Sequence, residues 1–528
     1  MRGSRPISRF HTLVARETVL ERFPLPGRGA VPVGAGYPAP YRVGMANLGF
    51  HFLYAGLRSS RHLAVERFFS DTAPLTLETG APLSSRAALF FSVSYEEDYI
   101  NLVRILHEAG IPPLREERSG SPLVVAGGPA ASANPAPLAA IADAIALGEG
   151  EGTLESIVRL LAEEGGGARR ATLESLAKIP SVIVPGAQAP GAVFKEPFGG
   201  PFPYSVIATP ESVFPDTFLV ESGRGCPGAC AFCLATSLYR PFRFLRRDAL
   251  EEILSRLAAP VRRVGLVSPA VAANPEFVPI VRMLASRGVG VAMSSLRAED
   301  LDEEKARLIG SVGTASVSLA PESGSERLRY RLGKHVPNEL YFNVAARLSE
   351  AGVRQFTLYL LVGFPDEDAE TVAATKVFLE GFRKAIGGRS FSVHVNVLVP
   401  KAWTPLQFHA MPDERSLESL QNAMTRMIKG AGLRARTKSV RSAVRQALFS
   451  LGDERIGRAV VLHVAAGLSW KKALSASHVD TEFIRARKGP ETSFPWDAIS
   501  GPVRRGVLWK RFETISAGGR NGEPYGGR

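Results

Sequence analysis

Gly223-Arg224-Gly225-Cys226-Pro227-Gly228-Ala229-Cys230-Ala231-Phe232-Cys233 decides how the rest of the chain is read, because it holds all three cysteines of the 528 residues. The spacing Cys226-x3-Cys230-x2-Cys233 puts three thiols within eight positions. An odd number so close together does not make a disulfide framework. Three thiolates can hold three irons of a [4Fe–4S] cluster and leave the fourth iron without a protein ligand. Such an open iron can bind a small molecule and pass it one electron. A zinc knuckle needs a fourth ligand, and no His or further Cys sits at a usual spacing nearby. Three buried structural thiols are the other alternative, although Gly223, Gly225, Pro227 and Gly228 make this loop a poor core segment.

Around and after the loop, six β-type runs alternate with helical segments: 218–222, 261–268, 289–297, 314–322, 355–365 and 391–400. Six β/α units, with the cysteine loop after the first strand, predict a partial, splayed (β/α)6 barrel over residues 213–430. Chemistry is expected at the carboxyl ends of its strands. Strand alternation puts Ser316, Ser318 and Glu322 on one face of the fourth run, Thr357 and Tyr359 on one face of the fifth, and Ser392, His394 and Asn396 on one face of the sixth. The opposing faces are uniformly apolar and belong under helices, so the polar faces are predicted to line the lumen. A closed barrel normally fills its centre with Val, Ile and Leu. Polar side chains there point to a cavity, and Tyr359, His394 and Asn396 are candidates for holding substrate. A hydrogen-bonded lumen network is the alternative, and a one-residue slip would invert the faces.

Upstream, residues 1–35 read as an irregular N-terminal extension. Residues 36–165 alternate β-type runs (41–45, 64–69, 88–94, 122–128, 144–150) with helical stretches such as 99–110. Five strands so arranged predict a doubly wound, Rossmann-like parallel sheet. Ligands of such sheets lie beyond the strand carboxyl ends. Three of those ends carry Ser94-Tyr95, Gly127-Gly128-Pro129 and Gly148-Glu149-Gly150-Glu151. Glycine there lets backbone approach a ligand, and a tight strand-to-helix turn asks for it equally. The Gly/Pro-rich stretch 166–212 is a predicted linker with short β pieces. Residues 431–516 read as a small helical C-terminal domain, and 517–528 as a disordered tail.

About 45% apolar residues over this length allow several buried cores. No run of 18 strongly apolar residues is present to span a membrane. The basic N-terminus lacks the apolar segment of a secretory signal. Few cysteines and an oxygen-sensitive cluster point to the reducing cytoplasm. Of the net charge of +13, most lies near the C-terminus, where residues 431–528 hold 18 Lys and Arg against eight Asp and Glu. Such a segment can grip an RNA backbone, or an acidic partner such as a small electron-transfer protein. No basic ribbon interleaved with aromatics argues for the nucleic acid.

With Phe232 just before the last cysteine, the loop resembles the signature of the radical S-adenosylmethionine (SAM) superfamily. The chain from about residue 38 to 511 is similar to members that carry an N-terminal cobalamin-binding-type domain. The matching stretches are 43–54, 91–102, 123–139, 146–152, 224–243, 319–329, 359–371, 397–407 and 495–509. The resemblance implies that Cys226, Cys230 and Cys233 ligate the cluster and that its free iron chelates SAM. Reductive cleavage, fed by a low-potential donor of the flavodoxin or ferredoxin type, then yields a 5′-deoxyadenosyl radical. Phe232, Arg297, Glu322 and Gly363 would contact SAM, with helix capping the alternative for Glu322. Ser94, Tyr95, Gly127, Gly128, Gly148 and Glu149 would face cobalamin.

Two departures qualify the match. The second strand ends Ser268-Pro269-Ala270, without the Gly-Gly-Glu many members use for the SAM amino group. The N-terminal domain also lacks an Asp-x-His-x-x-Gly motif, since His51 and His62 sit in no such pattern. The implied activity is modification of an unactivated carbon by cobalamin-dependent methyl transfer. Alternatives are a cobalamin-free radical SAM enzyme (RNA-directed modification, rearrangement or oxidation) and a non-catalytic cobalamin or redox sensor. A methylthiolating enzyme would need further cysteines for a second cluster.

Overall fold

The computed structural model describes residues 6–120, 122–164, 167–187, 202–294, 296–365, 367–501 and 503–518. Its N-terminal half is built on short apolar strands: β1 (Val31–Tyr37), β2 (Leu63–Phe69), β3 (Ala88–Ser92), β4 (Leu123–Gly127), β5 (Ala144–Ala146) and β6 (Val182–Ile183). They form one sheet in the order β2-β1-β3-β4-β5-β6, parallel throughout except for β6. Helices such as Leu48–Arg58 and Asp98–Glu108 make the crossovers, as a doubly wound sheet requires.

Two expectations are corrected here. Residues 41–45 are not a strand: Tyr41–Gly44 form one helical turn after Pro40, with the Tyr41 amide donating to Asp71 Oδ1 at 2.7 Å. The central strand β1 lies upstream, mostly within the expected N-terminal extension. Its Gly34 and Gly36 mimic a loop, but a Cβ there would meet the Phe68 ring at 2.9 and 2.1 Å. Close packing, not a turn, selects these glycines. The predicted linker with short β pieces does carry one, and a helix besides. It holds the helix Arg169–Leu176 and β6, which extends the sheet.

The second half contains β7 (Phe218–Glu221), β8 (Arg263–Val267), β9 (Gly290–Met293), β10 (Ser316–Glu322), β11 (Gln355–Val362), β12 (Ser392–Val397) and β13 (Arg434–Thr437). β9-β8-β7 and β10-β11-β12-β13 are two parallel sheets, linked by a bridge between Leu296 and Leu319. The result is a partial barrel with β7 and β13 at its edges. The strand β13 was not expected, because its region reads as wholly helical. Along β10, β11 and β12 every second residue is buried. The buried set, including Val317, Phe356, Leu358 and Val393, packs under the helices Asn338–Glu350 and Ala369–Ala385. There the Phe356 and Phe382 rings stand 5.8 Å apart. The alternate, polar face is the half-open one, so the predicted register holds.

The C-terminal helices strap the two halves together. Glu454–Val464 packs against Asp98–Glu108. Asn134 Nδ2 donates to the carbonyls of Ser450 and Gly452 at 3.2 and 2.7 Å, and Trp403 Nε1 donates to Ala133 O at 3.0 Å. Of the expected tail, only Ala517 and Gly518 fall within the described residues. Among the described residues no helix is long and apolar enough to cross a membrane.

Candidate active site

The cysteine loop follows β7, and distant backbone braces it. Ala231 N donates to Leu332 O at 2.9 Å, Leu406 N to Ala231 O at 3.3 Å, and Arg511 Nη2 to Ala229 O at 2.7 Å. All three thiols are free and half-buried. Cys226 Sγ accepts from Gly228 N at 3.4 Å and from Arg297 Nη1 at 3.3 Å. Burial pushes the Cys230 thiol up to about 12, opposed by Lys334 and reinforced by Cys233, Glu322 and Cys226. Burial likewise raises Cys233. Thiolates are the metal-binding form, so thiols whose surroundings resist ionisation, as at Cys230 and Cys233, need a cationic group beside them. The irons of a cluster are such a group. Among the described residues no three His, Cys, Asp or Glu side chains converge on one point. A cuboidal cluster does not ask for that, because each thiolate takes its own iron corner.

The predicted SAM contacts flank this loop. Glu322 ends β10 with φ 64°, and Lys334 Nζ lies 3.2 Å from its Oε1. Burial would strip the Lys334 charge, but Glu322 outweighs it and holds the ammonium protonated. Glu322 is not the cap of the next helix, Glu326–Arg331, whose first turn is capped by Ser325. Arg297 reaches Glu299 at 2.6 Å and Asp300 at 3.5 Å as well as Cys226. Phe232 meets Phe364 edge-on at 6.4 Å, and the neighbouring Gly363 carbonyl accepts from His409 Nε2 at 3.2 Å. Lys334 escaped sequence reasoning because nothing in its spacing ties a turn lysine to a strand end twelve residues earlier.

A cavity of about 550 Å³ lies where the two halves meet. Ser94, Gly127, Gly128, Gly148 and Glu149 line it from the N-terminal sheet, and Gly223, Arg224 and Gly225 from the cysteine loop. The volume falls in the range of cofactor sites, roughly 300–1,000 Å³. Most of the wall is glycine, alanine and aliphatic or aromatic side chain, which suits a broad apolar face bearing polar edges. The lining residues include no His, Cys or Met. His51 is spent in the core, where its ring nitrogens bond Met45 O and Val206 N, and burial lowers it to about 4.

Two of the predicted cofactor residues serve other contacts. Tyr95 does not line the cavity; its hydroxyl donates to Gln446 Oε1 at 2.9 Å. Glu149 lines it, but its carboxylate is engaged by Arg243 and by Arg224 Nη1 at 2.9 Å. Arg224 also binds Glu151 at 2.7 Å and Glu221 at 2.6 Å. Burial would lower the Arg224 pKa, and Glu221 followed by Glu151 outweighs it, so the guanidinium stays charged. This buried clamp closes the cavity on the side of the cysteine loop.

Tyr359, His394 and Asn396 form a separate group on the half-open face of β11 and β12. Tyr359 and His394 are partners in register, with ring centroids 4.8 Å apart, and Asn396 lies opposite Leu361. None of the three lines the cavity.

Residues 49–185 match the family model described as radical SAM proteins, N-terminal, and residues 220–379 match that of the radical SAM superfamily. An uncharacterized protein of Methanocaldococcus jannaschii is 27% identical over 429 residues, 80% of this chain and 89% of that protein. Among solved structures, the fold is similar to that of the radical S-adenosylmethionine methyltransferase TsrM from Kitasatospora setae, with cobalamin and [4Fe–4S] cluster bound. That match has a TM-score of 0.50 and 15% identity, and covers 72% of this chain and 74% of TsrM.

Proposed function

We propose that this chain, a radical SAM enzyme by the N-terminal and core domains it carries, is a cobalamin-dependent methyltransferase acting on an unactivated carbon. One observation carries the reading: the cavity of about 550 Å³ shared by the glycine loops of the first sheet and the cysteine loop of the second. When bound, the cluster and SAM supply one-electron cleavage to a 5′-deoxyadenosyl radical, and cobalamin supplies the methyl group. Cys226, Cys230 and Cys233 would hold the cluster. Arg297 and the Glu322–Lys334 pair set the field around it, and Phe232 and Gly363 shape the SAM side. Ser94, Gly127, Gly128 and Gly148 would carry the corrin. Tyr359, His394 and Asn396 orient the substrate on the lumen face. On this reading the electron comes from a flavodoxin- or ferredoxin-type donor and, because such a cluster is oxygen-sensitive, the protein works in the reducing cytoplasm.

Anaerobic reconstitution with iron, sulfide and hydroxocobalamin, followed by desalting, tests this. The expected product holds about four irons per chain, retains a cobalamin absorption band, and releases 5′-deoxyadenosine from SAM on reduction. Cys230→Ala should abolish both the iron and the nucleoside. Loss of the cobalamin band with nucleoside release intact would favour a cobalamin-free radical SAM reaction. Nucleoside release that survives Cys230→Ala would overturn the enzyme assignment of the loop.

A further inference from the structure

The unexpected strand β13 changes what the lumen offers. Its register against β12 pairs Ser392 with Arg434 and His394 with Arg436. Alternation therefore puts both arginines on the polar face that carries His394. Tyr359, His394 and Arg436 form one row across three strands. Arg434, Arg436 and Lys438, which follows the strand, are exposed. Among the described residues none of the three has an ion-pair partner. Lys438 Nζ lies 5.8 Å from the Tyr95 ring centroid, so this group faces the loop of the N-terminal half that overhangs it. The Glu96 carboxylate of that loop is already taken by Lys401 and by Gln446, whose Nε2 donates at 2.9 Å.

Basic residues on an edge strand also serve to block edge-to-edge pairing. That role asks only for exposure at the edge. It does not ask for a cation in register with a histidine, and here Arg436 is. His394 is lowered by burial first and then by Arg436 and Lys438, so both cations act on the ring. A histidine, a phenol and three cations, none with an ion-pair partner among the described residues, gather here without an anion.

We propose that the substrate carries an anionic group, a carboxylate or a phosphate, and that Arg434 and Arg436 bind it beside His394 and Tyr359, with Lys438 at the mouth. Guanidinium forks bind either anion in bidentate fashion, which fixes orientation as well as position. The inference rests on the lumen face being the substrate chamber. It makes Arg434 and Arg436 specificity-determining residues.

The test uses the full chain and reads the His394 ring proton by NMR, assigned by its loss in His394→Gln. Inorganic phosphate or succinate should raise the His394 pKa by about 1, as a bound anion beside the ring requires. Sodium chloride at matched ionic strength should not. The anion giving the larger rise identifies the substrate group. The double variant R434Q/R436Q should lose the response, and because both side chains are exposed, its melting temperature should match the wild type. An equal response to chloride, or an undiminished response in the double variant, would overturn the proposal. The chloride comparison needs only wild-type protein and decides the matter even if the variant misfolds. Cluster loading and nucleoside release are read separately, so either hypothesis can fail without the other.

Discussion

In the N-terminal sheet, β3 is buried along its whole length and β1 along all but one residue, whereas β10, β11 and β12 bury every second side chain and leave the others half-open. A sheet packed on both faces meets a ligand at its strand ends, where Phe90, Phe91, Val125 and Ala126 reach the shared cavity beside the glycine loops. A sheet with one open face can present side chains along its length. The first half therefore lines the shared cavity with glycine loops and apolar side chains, and the second contributes Tyr359, His394 and the β13 arginines to its half-open face. The two halves should answer differently to substitution.

Where they meet, the effect should be largest. Arg224 is the common partner of Glu149 and Glu151 from the first half and Glu221 from the second. Arg224→Met keeps the bulk and leaves buried carboxylates without their cation, which costs about 3–5 kcal/mol. Thermal unfolding followed by circular dichroism should show a lower first transition. If the transition does not move, the clamp does not hold the halves together.

A pH series separates the halves next. Asp98, in the first, is raised from 3.8 to about 7 by burial, with Glu96 and Glu97 adding. Glu367, in the second, is raised from 4.5 to about 7, again by burial first. In both cases the folded chain holds the proton more tightly than the unfolded chain. The stability they contribute is therefore complete below about pH 4 and is lost as pH rises through 7. Partial solvent access reduces each contribution to about 2 kcal/mol. Asp98→Asn should flatten the decline of the N-terminal transition between pH 5 and 8, and Glu367→Gln that of the barrel. Denaturant titrations across that range check both, and an unchanged slope in either variant would rule out that carboxyl as its source.

The same contrast explains what could be read from the chain in advance. The barrel runs were legible because a half-open strand writes its two faces as alternating polar and apolar residues, as in Ser392, Val393, His394, Val395 and Asn396. The runs of β3 and β4 were legible as unbroken apolar stretches. β1 was not, because Gly34 and Gly36 are there for the Phe68 ring and spell a turn. Arg434-Ala435-Arg436-Thr437 was not, because a short charged edge strand has no buried face to pattern it. The three cysteines share one loop, so their chemistry was visible. Arg224 sits in that loop too, but its partners Glu149 and Glu151 lie 75 and 73 residues away, and spacing does not encode such a pair.

The smallest effect sets one glycine from each half against the other. Gly128 has φ +115°, and a Cβ there would stand 2.7 Å from the Val93 carbonyl oxygen, with the Val93 backbone carbon and nitrogen at 3.1 Å. Gly363 has φ +93°, and its added Cβ would meet Leu417 Cδ2 at 2.8 Å. Both alanines bear the strain of a left-handed backbone, about 1–3 kcal/mol. Only the second can find relief, because the far end of a leucine rotates away while a backbone carbonyl held by the Ala130 amide at 3.2 Å does not. Gly128→Ala should therefore cost about 1 kcal/mol more than Gly363→Ala. It should also displace the Gly127–Pro129 loop that lines the shared cavity, so cobalamin retained after desalting should fall in Gly128→Ala and hold in Gly363→Ala. Equal retention in both would mean that the glycine loop does not shape the cavity, and the division of labour between the two sheets would lose its N-terminal half.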